Sequence, residues 1–200
     1  MNSGAEQEAR RVRALLPAGS KLAVLGSTSF WSEDGRHLCE ALAVHLAAAT
    51  SWVALTGGME GVGRTFGRAF AGSRRGLGRA EDLFHLLPRG CGSCDSGVTL
   101  EVGSDHHARR EVLGRVGDVY LVIEGGPGTS HEVDVALRRG APVLPVGRTG
   151  GHAGELHARL RCPHAGARLD WEALGDREAR GDEVVGATAR LLGSVRWTPM

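Results

Sequence analysis

Short apolar runs that end in glycine alternate along this chain with longer stretches whose apolar residues recur every three or four positions. Residues 21–27, Lys-Leu-Ala-Val-Leu-Gly-Ser, form the first such run and predict a buried parallel strand. Ser32 then supplies a cap for a helix with Leu38, Ala41, Leu42, His45, Leu46 and Ala49 on one face. Residues 52–56 predict a second strand running into Gly57-Gly58, and a glycine-rich turn opens a helix through Val62, Phe66 and Phe70. A third strand covers 83–87 and stops at Pro88, whereas 89–103 lacks clear periodicity and reads as mostly loop.

The second half repeats the alternation. Residues 105–116 predict a helix with Val112, Leu113 and Val116 inward, and 119–123 is the most strand-like segment of the chain. That strand enters the run Glu124-Gly125-Gly126-Pro127-Gly128-Thr129, followed by a helix from Thr129 to Arg139. Residues 141–146 predict a fifth strand, whose Pro142 and Pro145 suit a sheet edge. Polar helical pieces follow at 152–161, near Trp171 and at 182–192. The pattern predicts an α/β fold: one Rossmann-like, doubly wound parallel sheet with helices on both faces. Residues 1–20 are expected as an N-terminal extension and 21–200 as a single nucleotide-binding domain.

In such sheets ligands sit beyond the carboxyl ends of the strands. Glycine there lets backbone N–H groups approach a phosphate, and the helix that follows adds favourable partial charge. The candidate binding positions are therefore Gly26 and Ser27 after the first strand, Gly57, Gly58 and Gly61 after the second, and Gly125, Gly126, Gly128 and Thr129 after the fourth. Gly57-Gly58 and Gly125-Gly126 are expected to border one cleft. The first turn, Gly26-Ser27-Thr28-Ser29-Phe30, lacks the Gly-x-Gly-x-x-Gly of dinucleotide-dependent oxidoreductases.

Gly125-Gly126-Pro127-Gly128-Thr129-Ser130-His131-Glu132 resembles the Pro-Gly-Gly-x-Gly-Thr-x-x-Glu motif of LONELY GUY-type phosphoribohydrolases. His107-Ala108-Arg109-Arg110 is similar to that family's His-x-Arg-Lys, and Thr56-Gly57-Gly58 with Gly61-Val62-Gly63 to its first glycine loop. The resemblance spans residues 21–148 and is specific over 107–132. It implies a homodimer that splits nucleoside 5′-monophosphates into free base and ribose 5-phosphate without a metal or redox cofactor. Arg109 and Glu132 would then be the catalytic pair, and the Gly128–Thr129 turn would hold the phosphate. Helix geometry turns Arg110 about 100° away from Arg109, which makes it a surface residue or a phosphate contact.

Two departures from the motif stand out. Glu124 replaces the family's proline and puts a carboxylate beside the phosphate turn, and the first glycine loop is one residue shorter, with Met59-Glu60 between its glycines. Pro127 makes the turn similar also to the Gly-Pro-Gly-Thr-x-x-Glu of molybdenum cofactor carriers, a branch that binds without hydrolysing.

Local chemistry offers plainer explanations for some of these residues. Thr129-x-x-Glu132 has the spacing of a capping box, in which each side chain takes the other residue's backbone N–H. Arg109 shares a helix face with Val112, Leu113 and Val116, where a guanidinium requires an anionic partner or an escape to solvent. Cys91-Gly92-Ser93-Cys94 has half the ligands of a structural zinc site, with His85 nearby in sequence, and reads as a loop with two free thiols. His106 and His107 diverge as helix neighbours, so no metal site is expected.

Composition narrows the field further. The formal charge is +1 and Lys21 is the only lysine, which leaves no basic field for nucleic acid. No apolar run approaches the ~20 residues of a membrane span. The polar start and four scattered cysteines suit a cytoplasmic protein. The expected partners are a small nucleotide ligand and a second copy of the chain, with neither nucleic acid nor membrane.

Overall fold

The computed structural model describes residues 3–194; residues 1, 2 and 195–200, at the ends of the expected extension and domain, lie outside it. The strands are β1 (Lys21–Gly26), β2 (Val53–Thr56), β3 (Leu83–Leu87), β4 (Val98–Glu101), β5 (Val119–Ile123) and β6 (Val143–Val146). Helices α1 (Ser3–Leu15), α2 (Glu33–Ala49), α3 (Val62–Gly76), α4 (His106–Val116), α5 (Pro127–Arg138), α6 (Gly151–Arg159), α7 (Arg168–Gly175) and α8 (Gly181–Ser194) intervene or flank them. Among the described residues the strands form one sheet in the order β4-β3-β2-β1-β5-β6, with every pairing parallel. This is the Rossmann-like α/β architecture that the alternating pattern predicts.

Strand periodicity sorts the core into two layers. Leu22 and Val24 of β1, with Val119, Leu121 and Ile123 of β5, face a cluster that includes residues of α2, α3, α7 and α8. Ala23, Leu25, Tyr120 and Val122 face the other way, against residues of α1, α4, α5 and α6. Both sides of β5 are thus sealed, which explains its unbroken apolar sequence. The chain order reverses between β1 and β5, so the crevice beyond their carboxyl ends is the topological switch point.

Two local expectations change. Residues 98–101 form β4 rather than loop, and Val98 at its start is 50% exposed; an edge strand with so little burial leaves no alternating imprint on the sequence. The buried stripe of α2 runs through Leu38, Cys39, Leu42, Ala43, Leu46 and Ala47, leaving Ala41, His45 and Ala49 exposed. Both stripes have helical spacing, and packing against α3 and α8 selects the first. Helix α1, inside the segment expected as an extension, buries Ala5, Ala9 and Val12 at i, i+4, i+7 spacing against the α4 side of the sheet. Arg13 fastens it by donating to the Val116 carbonyl at 2.5 Å and to Asp118 at 2.7 Å. Pro145 lies in β6, an edge strand, as its missing N–H requires. Among the described residues no helix is long and apolar enough to cross a membrane.

Candidate functional site

At the switch point β1 ends at Gly26 in register with Ile123, the last residue of β5. The turns after β1, β2 and β5 meet around a cavity of about 210 Å³. Gly26, Ser27, Gly57, Arg109, Arg110, Gly126, Gly128, Thr129 and Glu132 line it, together with Thr28, Met59, Glu60, Gly63 and Pro127. Gly57 and Gly126 therefore border a single cleft. Gly58, Gly61 and Gly125 are not among the lining residues. Gly61, at φ +72°, lets the start of α3 press against the β1–α2 loop: a Cβ there would stand 2.4 Å from the Ser27 carbonyl oxygen. Val62 N–H donates to that same carbonyl at 2.9 Å, so Gly61 shapes the pocket through packing.

The first turn of α5 differs from the expected helix start in a way that matters chemically. The helix begins at Pro127, two residues before Thr129, because a proline at the first helical position loses no bond the helix needs. Gly126 is the N-cap and makes no side-chain cap, so the Thr129–Glu132 capping box does not form. The Thr129 hydroxyl instead donates to the Gly26 carbonyl at 3.0 Å, tying α5 to the end of β1. The N–H groups of Gly128 and Thr129 have no carbonyl one turn back, and they sit where the helix N-terminus borders the cavity.

Released from capping, Glu132 turns to α4. Its Oε1 accepts from Arg109 Nη1 at 2.5 Å, and both side chains are 6–7% exposed. The second carboxylate oxygen accepts no hydrogen bond from the described residues, and the side chain lines the cavity. Burial pushes the Glu132 carboxyl above its ordinary range, against the pull of Arg109 and Arg110. Gly57 makes room for this pair, since a Cβ there would stand 2.6 Å from Arg109 Nη1. The arginine on an apolar stripe thus has its anionic partner. Arg110, half-buried, lies beside Gly128, whose Cβ would stand 3.0 Å from the guanidinium. Across the cavity, Arg64 holds the Glu60 carboxylate at 2.8 Å.

Glu124 is fully buried yet does not line the cavity. Its carboxylate folds under the β1–α2 loop, where it accepts from the Ser27 hydroxyl and from Trp31 N–H at 3.2 Å. A carboxylate beside the glycine turn is thereby pointed away from the cavity and shapes the loop instead. The residue holds φ +55°, a conformation rare outside glycine. Its backbone is clamped by the Thr149 hydroxyl at 2.8 Å and by Ala153 N–H at 2.9 Å. Glu124→Ala should lower stability by about 2–4 kcal/mol, since each buried donor left unmade costs ~1–3 kcal/mol. Thermal denaturation measures this, with Glu124→Gln falling less because it keeps an acceptor; equal Tm values for Glu124→Ala and wild type would remove the bracing role.

The remaining candidates lie elsewhere. Cys91 and Cys94 are free thiols in the β3–β4 loop, the first exposed and the second near the Gly58 carbonyl. His85 is buried in β3, its Nδ1 2.7 Å from the Thr56 hydroxyl. The residues that sequence reasoning passed over, Thr28, Met59 and Glu60 among them, flank the turn glycines without any distinguishing pattern of their own.

Comparison with known proteins fits this geometry. A model of the SLOG cluster4 family matches residues 20–160. The structural-genomics protein TM1055 is similar with a TM-score of 0.59 and 25% identity, over 72% of this chain and 83% of its own. The molybdenum cofactor carrier protein from Chlamydomonas reinhardtii gives a TM-score of 0.53 and 20% identity, over 88% of this chain and all (100%) of its own. The molybdenum cofactor binding protein of the phototrophic bacterium Rippkaea orientalis gives 0.53 and 22%, over 63% and 75%. At those identities the last two establish the shared fold alone. No curated protein matches the sequence.

Proposed function

This chain belongs to the SLOG cluster4 family, and on that premise we propose that it hydrolyses the N-glycosidic bond of a nucleoside 5′-monophosphate to free base and ribose 5-phosphate. The observation that carries this reading is Glu132, which is buried, not a helix cap, and held by Arg109 through one oxygen at the wall of the cavity. The phosphate sits on the N–H groups of Gly128 and Thr129, within reach of Arg110. Remote binding energy of this kind fixes the ribose for reaction. The volume of about 210 Å³ is below the ~300–1,000 Å³ of sites for drug-sized ligands, which suits an enclosed ribose phosphate with the base at the open mouth.

Glycosidic cleavage develops positive charge at the anomeric carbon. The free oxygen of Glu132 faces that charge and accepts a proton from the attacking water. The water oxygen bonds to the anomeric carbon as the carbon–nitrogen bond breaks, and the base leaves with the bonding pair and takes up a proton. Arg109 is a positioning residue in this scheme, fixing the carboxylate. A homodimer belongs to the same proposal and rests on the family resemblance; light scattering of a monomer at micromolar concentration with ligand bound would remove it.

Incubation with a panel of nucleoside monophosphates, followed by chromatography for released base, tests the reading. The rate carries a further signature. Glu132 works ionised, and burial raises its pKa, so kcat should fall as the pH drops through a value above the ordinary glutamate range. An acid limb at or below the ordinary value would assign it to another group. A second reading, carriage of a nucleotide-like ligand without hydrolysis, is favoured by Pro127 in the Gly126-Pro127-Gly128 turn, which lines the cavity. Tight ligand binding with no base released from any nucleotide would select it.

A further inference from the structure

Helices α4 and α5 hold Arg109 and Glu132 toward the cavity, and elsewhere along the same seam they bring together three residues that this role does not use. His107 and Glu111 stand one turn apart on α4, on a shared face. His131 projects from α5 toward them. Its Nε2 lies 2.7 Å from Glu111 Oε1, and its ring centroid is 4.8 Å from that of His107. One ligand atom from each of the three lies within 4.8 Å of the others. Sequence neighbours cannot reveal this set, because His106 and His107 diverge on one helix and the second imidazole comes from the other.

We propose that His107, Glu111 and His131 form a binding site for a zinc-class divalent cation across the α4–α5 seam. The donor set is two imidazoles and one carboxylate, a combination suited to zinc and its late first-row neighbours. Donors bound at ~2.0–2.2 Å to a tetrahedral ion stand roughly 3.5 Å apart, so the His131–Glu111 pair opens from 2.7 Å to admit the ion while the His107 donor closes in by a side-chain rotation. His107 is exposed and free to make that rotation, whereas Glu111 is fixed. Arg115 holds the second Glu111 oxygen at 2.6 Å, the outer contact that orients a metal-binding carboxylate. The helices themselves are closely packed, since a Cβ at Gly114 would stand 2.6 Å from Val135 Cβ. The ion replaces the hydrogen shared by His131 and Glu111, releasing any displaced proton to solvent, and leaves its fourth position to water. Its effect is to pin together the two helices that carry Arg109 and Glu132. The site does not depend on the proposed hydrolysis.

Titration of untagged protein with Co²⁺ and Zn²⁺ tests this. Wild type should bind one equivalent of Co²⁺ with the visible bands of a nitrogen- and oxygen-ligated ion, and Zn²⁺ should raise its Tm. His107→Ala and His131→Ala should each weaken Zn²⁺ at least about 10–100-fold, the loss that removing even an outer partner of a metal site produces. His106→Ala should leave it unchanged. His107→Ala removes an exposed side chain, so its fold survives to carry the comparison even if His131→Ala does not fold. Equal affinity in wild type and His107→Ala would overturn the site. So would no binding at millimolar Zn²⁺, or a thiolate-to-cobalt charge-transfer band, which would assign the ion to Cys91 and Cys94.

Discussion

Glu132→Gln should reduce release of base from a nucleoside 5′-monophosphate by about 10²–10⁴-fold, the usual range for a general acid–base group, while nucleotide affinity barely changes. Glutamine keeps the shape of the side chain and an oxygen that accepts from Arg109 Nη1, the contact that Glu132 makes at 2.5 Å. What it removes is the negative charge that, in the proposed reaction, faces the anomeric carbon, an interaction strengthened only in the transition state. Because Thr129 is not the cap of α5 and Glu132 does not reach back to its N–H, the substitution breaks no helix-terminal bond. Steady-state kinetics with a binding measurement separate the two effects. Base release undiminished in Glu132→Gln would sink the mechanism and leave the fold standing. A matched loss of affinity would mean that the carboxylate binds substrate rather than acting on it.

Arg109→Ala should be the most destabilising single change at the site, by about 3–5 kcal/mol at neutral pH, the cost of stranding one partner of a buried ion pair. At ~2–4 °C per kcal/mol for a chain of this size, Tm should fall by roughly 6–20 °C. The sign of the pH dependence identifies the cause. Burial raises the Glu132 pKa in the folded state, and loss of Arg109 removes the first of the charges opposing that shift. A group whose folded pKa is raised contributes stability that is complete below its unfolded pKa and lost as the pH rises through the folded one. The deficit of Arg109→Ala relative to wild type should therefore shrink toward acid pH, below the ordinary glutamate value of ~4.3, and grow toward neutrality. Arg109→Ala combined with Glu132→Gln should recover much of it, since no buried charge remains unpaired. A deficit equal at acid and neutral pH, and not relieved in the double variant, would mean that lost packing of the arginine stem is responsible.

The functional consequence of Arg109→Ala distinguishes two roles. Loss of turnover alone, with affinity kept, fits a guanidinium that only orients Glu132. Loss of both fits one that also grips the phosphate.

Short apolar runs stopped by glycine or, after 83–87, by proline were enough to predict five of the six strands among the described residues, and the β-α alternation was enough for a parallel sheet. These signals are legible because a strand buried on both faces, such as β5, must be apolar at every position. Edge strand β4 escaped detection for the converse reason: its ends, Val98 and Glu101, are exposed, and nothing constrains them to alternate. The candidate site was legible where chemistry and backbone coincide. Gly57, Gly126, Gly128 and Glu132 carry a recognisable motif and all line the cavity.

The sequence by itself determined the class of fold, the strand ends that carry the turns and the residue types offered there, because strand and helix periodicities and turn glycines are local properties of the chain. Only the tertiary structure decided what those residues face. Pro127 started α5 two residues early, so Thr129 bonds β1 and Glu132 meets Arg109 from another helix. Glu124 was turned beneath the Ser27–Trp31 loop, away from the cavity, and His131 was set beside Glu111 across a helix seam. Each of these contacts joins segments at least 20 residues apart, and no local preference of either segment encodes the other's position. Packing of whole helices against the sheet fixes them, and a sequence pattern records the faces that pack without recording their partners.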